Sequence, residues 1–75
     1  MNGKISRLMS DKGYGFIKSD DDRKDYFFHR QDYQGDFDAL AADVDSGRVV
    51  DVIFDSIASP KGPRASEVIR NDGGI

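Results

Sequence analysis

The chain has 75 residues, with 11 basic against 14 acidic side chains and a formal net charge of −3 with its single His neutral. That length holds one small domain and excludes a two-lobed enzyme with a cleft between its lobes. The lack of Cys excludes disulfides and thiolate metal sites, and no apolar run approaches the roughly 18 residues of a membrane span.

Strand-type periodicity dominates the chain. Lys4 to Met9 alternates loosely around Ile5 and Leu8 as a first strand. Asp11-Lys12-Gly13 is a turn signal, and Tyr14-Gly15-Phe16-Ile17-Lys18 follows it as an aromatic, β-branched second strand. Ser19 to Asp25 is a polar loop, and Tyr26-Phe27-Phe28-His29 is a short third strand. Between Gln31 and Asp45, residues Phe37, Leu40, Ala41 and Val44 fall at helical spacing. So short and acidic a run is marginal without tertiary packing, so the segment is expected to be a long loop with some helical character. Arg48 to Phe54 is the longest strand candidate, entered through Asp45-Ser46-Gly47. A loop around Pro60 and Pro63 leads to a last alternating strand, Arg64 to Arg70. Five short strands without a long helix predict a small closed all-β barrel over residues 1–70, followed by a frayed tail at 71–75.

The charge is unevenly spread. Residues 1–30 hold seven cations against five carboxylates (+2), residues 31–55 one against seven (−6), and residues 56–75 three against two (+1). A fold that turns the acidic segment away leaves a basic face, so the negative total does not by itself exclude a nucleic-acid partner.

The sharpest motif is Lys12-Gly13-Tyr14-Gly15-Phe16-Ile17, which opens like the basic-Gly-aromatic-Gly-aromatic pattern of RNA-binding strands. On a strand Tyr14 and Phe16 point to one face, about 6.6 Å apart at roughly 3.3 Å rise per residue. Bases stacked in a duplex rise only about 3.4 Å, so two such rings each take a base only from an unpaired, opened strand. Lys18 falls on the same face, in place for a phosphate, which a buried strand does not permit. In the third strand, burying Tyr26 and Phe28 leaves Phe27 and His29 on the surface, able to stack on bases. A lone His in a Cys-free chain makes no metal site. The acidic runs Asp20-Asp21-Asp22 and Asp43-Val44-Asp45 lack the EF-hand series and its terminal Glu, and read as solvated loop. No P-loop, Rossmann glycine series or nucleophile–His–Asp set is present, so neither a cofactor nor enzymatic activity is expected.

Four blocks resemble the bacterial cold-shock domain in order and spacing: Gly3-Lys4-Ile5, Asp11 to Ile17, Lys24 to His29, and Lys61-Gly62-Pro63-Arg64-Ala65. The resemblance implies a five-stranded antiparallel oligonucleotide-binding (OB-fold) barrel with a long loop between its third and fourth strands. It implies a protein that binds single-stranded RNA or DNA with little sequence selectivity, as an RNA chaperone or a transcription or translation regulator. A cytoplasmic monomer without membrane or small-molecule partners is expected, since the sequence shows neither an apolar span nor a secretory h-region. The chain departs from the family at Arg7 and Leu8, where Trp and Phe are usual, and at Arg30, where Phe is frequent. Arginine still stacks on bases and pairs with phosphate. The expected interface comprises Lys4, Arg7, Leu8, Lys12, Tyr14, Phe16, Lys18, Phe27, His29, Arg30, Lys61 and Arg64, with Phe37 as an unplaced further ring. An alternative is a protein-interaction module whose acidic segment, Asp32 to Asp55, docks a basic partner.

Overall fold

The computed structural model describes residues 1–71. Its elements in chain order are β1 (Asn2–Met9), β2 (Tyr14–Ser19), β3 (Asp25–His29), a 3-10 turn (Arg30–Asp32), β4 (Tyr33–Gln34), α1 (Phe37–Asp45), β5 (Asp51–Ile57) and β6 (Arg64–Arg70). The strands form one sheet in the order β3-β2-β1-β5-β6-β4, and a further β3–β6 pairing closes five of them into a barrel. The two-residue β4 lies along β6, with Tyr33 opposite Val68. This is the all-β, OB-type barrel expected.

The expectation of a purely antiparallel barrel needs one correction. β1–β2, β2–β3, β1–β5 and β5–β6 are antiparallel, but the closing pair is parallel, with Phe27 opposite Arg64. Parity requires this: strand directions cannot alternate all the way round a closed ring of five. β4 also runs parallel to β6.

β2, β3 and β5 feed the core by period-2 alternation, and β6 does so across a bulge. Ile17 from β2, Phe28 from β3, Val52 and Phe54 from β5 and Ala65 and Val68 from β6 are all buried. In β6 the inward residues Ala65 and Val68 are three apart, because the β5–β6 register slips between Ile53 and Asp55 and Glu67 takes φ 49°. Simple alternation misses such a bulge. β5 begins at Asp51 rather than Arg48, yet Val50 is fully buried and its carbonyl accepts the Ile5 N–H at 3.0 Å.

The segment read as a loop holds a genuine helix. Asp36 caps it, its Oδ1 accepting from the Asp38 and Ala39 N–H groups at 3.0 and 3.3 Å. Phe37, Leu40 and Ala41 are buried on its inner side, and Val44 packs against the core. Burial and the cap supply what propensity lacks in a nine-residue helix. Phe37 is therefore core, with its ring against Phe28 and Tyr33, and is not a surface ring. Among the described residues no helix is long and apolar enough to cross a membrane. The fraying expected at 71–75 falls, beyond Asn71, outside the described residues.

Candidate nucleic-acid interface

β2 and β3 build the site. Their register places Tyr14 opposite His29, Phe16 opposite Phe27 and Lys18 opposite Asp25, while Gly15–Phe28 and Ile17–Tyr26 form the inward pairs. Tyr14, Phe16, Phe27 and His29 are all part-exposed. The three rings touch one another: Tyr14–Phe27 centroids lie 5.3 Å apart, Phe16–Phe27 5.8 Å and Tyr14–Phe16 6.1 Å. They are tilted or edge-on to each other, so none stacks its face on another.

Gly15 permits this arrangement. A Cβ there would fall 2.5 Å from Leu8 Cδ1 and 2.8 Å from the Arg7 carbonyl oxygen. Only glycine lets β1 approach so closely beneath the rings. Gly13, in the preceding turn, sits at φ 77°, a conformation that glycine adopts without strain.

β1 contributes differently from the expectation. Its pairing with β2 slips between Ile5 and Arg7, leaving Ser6 as the extra residue, with its Oγ donating to the Phe16 carbonyl at 3.3 Å. Past this bulge Arg7 stands opposite Phe16, Leu8 opposite Gly15 and Met9 opposite Tyr14. Arg7 thus joins the ring face as expected. Leu8 does not: it packs against the core beneath Gly15. Met9 shares the outer face with Tyr14, a place that the sequence reading missed. The signal was available in the parity of Arg7 and Met9, once a bulge was admitted.

The loop before β6 walls one side. Phe16, Phe27, Ser59, Lys61, Gly62, Pro63 and Arg64 line a groove of about 490 Å³. The Arg64 guanidinium lies over the Phe27 ring, 5.8 Å from its centroid, and the Phe27 N–H donates to the Pro63 carbonyl at 3.2 Å. His29 caps the 3-10 turn: its Nδ1 accepts the Gln31 N–H at 3.2 Å, which leaves Nε2 as the donor of the neutral ring.

The other expected cations divide into two groups. Lys4 is held between Asp20 and Asp51, at 3.4 and 3.5 Å, and its bonds to Asp20 and then to Asp51 raise its ammonium above the ordinary 10.5. Arg30 reaches Asp38 at 3.7 Å and lies over the Phe37 ring. Both are thus engaged by carboxylates, Lys4 from a position opposite Lys18 in the β1–β2 pair. Arg7, Lys12, Lys18 and Lys61 have no ion-pair partner among the described residues. The acidic segment is not simply turned away. Asp32, Asp38, Asp43 and Asp51 are paired to Arg64, Arg30, Arg70 and Lys4, so much of its charge is compensated locally.

The family model described as the 'Cold-shock' DNA-binding domain matches residues 1–71. The chain is also 39% identical, over 67 residues, to a "Cold shock-like protein" of Aquifex aeolicus (strain VF5), covering 88% of this chain and 87% of that protein.

Proposed function

The chain belongs to the cold-shock DNA-binding domain family, a family of nucleic-acid binders, and from that premise we propose that it holds unpaired RNA or DNA with little sequence selectivity. One observation carries the reading: Tyr14, Phe16 and Phe27 form a contiguous, part-exposed ring cluster beside a groove edged by Lys61 and Arg64. Unpaired bases stack on the rings, since every base offers a π-face. Arg7, Lys12, Lys18 and Lys61 neutralise phosphates, and Arg64 and His29 complete the rim. Met9 adds a polarisable contact beside Tyr14.

Three stacked bases at about 1–3 kcal/mol each give roughly 3–9 kcal/mol gross. Ordering the flexible strand takes back a part, which places affinity in the micromolar range. Binding of this type suits a cytoplasmic monomer that keeps RNA single-stranded or regulates its transcription or translation. The alternative of a docking acidic segment loses support because four of its carboxylates are engaged within the chain. Titration with heptathymidine or oligo-U, followed by tyrosine fluorescence, tests the proposal through Tyr14. A saturable response at low ionic strength is expected, and none under those conditions overturns it.

A further inference from the structure

Asp32 lies in the 3-10 turn that follows β3, and one of its oxygens does two things. Oδ2 accepts the His29 N–H at 2.9 Å and the Arg64 Nη2 at 3.1 Å. The carboxylate is the more sheltered partner, its side chain 19% exposed against 42% for Arg64. Arg64 is the first residue of β6, sits opposite Phe27 in the parallel pair, and carries its guanidinium over that ring. A single carboxylate therefore ties the end of β3 to the cation that borders the ring cluster.

We infer that Asp32 is a positioning residue of the nucleic-acid interface, fixing the Arg64 guanidinium beside Phe27 before any nucleotide arrives. This rests on the function proposed above. A free arginine side chain loses its rotamer freedom when it binds; one already held has lost it on folding. The bond is charge-assisted on both sides and partly sheltered, which makes it stronger than an exposed ion pair.

The inference opposes the simplest electrostatic expectation. A carboxylate 3.1 Å from a cation that faces a polyanion should, by field alone, weaken binding, and its neutralisation should tighten it. Positioning requires the reverse sign. Asp32→Asn is the discriminating variant, because an amide oxygen in place of Oδ2 still accepts the His29 N–H and preserves the turn, while the negative charge that holds the Arg64 guanidinium is removed and only a weaker, neutral acceptor is left to it.

The test uses heptathymidine titrations of the wild type, D32N, R64A and the double variant at about 0.15 M salt, where distant charges are screened. D32N is expected to bind about three- to tenfold more weakly than the wild type, a loss of about one power of ten at most. The double variant is expected to match R64A, because Asp32 acts only through Arg64. Equal or tighter binding by D32N, or additive losses in the double variant, overturns the inference. A second readout needs no ligand: the Arg64 Nε–Hε and Phe27 ring NMR signals of the free protein should shift in D32N while amides remote from the turn stay in place. Unmoved Arg64 signals overturn the positioning role alone, whereas a wild type that fails to bind overturns the proposed function.

Discussion

Replacing Phe27 by Ala removes the ring at the middle of the cluster, the one in contact with Tyr14, Phe16 and the Arg64 guanidinium. One stacked base is worth about 1–3 kcal/mol by such truncation, which corresponds to a fivefold to roughly 150-fold weakening, and at least tenfold is expected here because the groove also loses a wall. The stability cost should be smaller than for a core ring. Phe27 is part-exposed, so the loss should stay below the cost of truncating a buried Phe to Ala, about 3–5 kcal/mol, with its two aromatic contacts supplying about 1–3 kcal/mol of it. Phe28, its neighbour in sequence, is fully buried, and Phe28→Ala should cost about 3–5 kcal/mol. That is comparable to the whole stability of a domain this small. The two adjacent substitutions therefore separate the faces of one strand: the first keeps a cooperative urea transition and loses affinity, the second loses the fold. Urea unfolding and oligonucleotide titration of both variants read this directly. Phe27→Ala binding within threefold of the wild type, or Phe28→Ala folding normally, would refute the assignment of faces.

With four unpaired cations on or beside the ring face, the logarithm of affinity should fall with the logarithm of salt at a slope of about −2 to −3, taking roughly 0.7 per neutralised phosphate. A flat salt response would count against it, and Lys61→Ala should remove about 0.7 of the slope. Gly15→Ala should destabilise by about 1–3 kcal/mol in urea, because its Cβ must displace Leu8 and the β1 backbone; a neutral effect would show that the strands separate freely. The Tyr26 hydroxyl donates to Asp22, and that bond, with the Lys24 N–H, holds the Asp22 carboxyl below its ordinary 3.8. A lowered carboxyl contributes stability above its unfolded value and loses it as pH falls through the folded one, so Asp22→Asn should flatten the acid limb of the urea midpoint below about pH 4. An acid limb unchanged in that variant would exclude the contribution.

The ring cluster was legible because Tyr14, Phe16 and Lys18 lie at period 2 within one strand, and because only one assignment of Tyr26 to His29 avoids burying His29. The helix was half legible. The spacing of Phe37, Leu40, Ala41 and Val44 showed its face, but its existence depends on packing against Phe28 and Tyr33 and on the Asp36 cap. The inward side of Leu8 was legible in its pairing with Ile5 as the apolar anchors of the first strand, and its place in the expected interface rested only on the family resemblance. The bulge at Ser6 that sets these two anchors three residues apart was not legible, because a serine in a loosely alternating strand announces no bulge. The ion pairs of Lys4 and Arg30 were not legible, because their carboxylate partners come from other segments of the chain, beyond the reach of local charge patterns.

The parallel contact between Phe27 and Arg64 has a mechanical consequence. It is the seam at which the cylinder is fastened, a single opposed pair reinforced by the Phe27–Pro63 bond, and the groove opens directly above it. A nucleotide seated there, as proposed, would touch both lips of the seam at once, so cargo and clasp would coincide. On the proposed reading, opening the cylinder at this seam would first require evicting the cargo, so added oligonucleotide is expected to slow unfolding as well as raise the melting temperature.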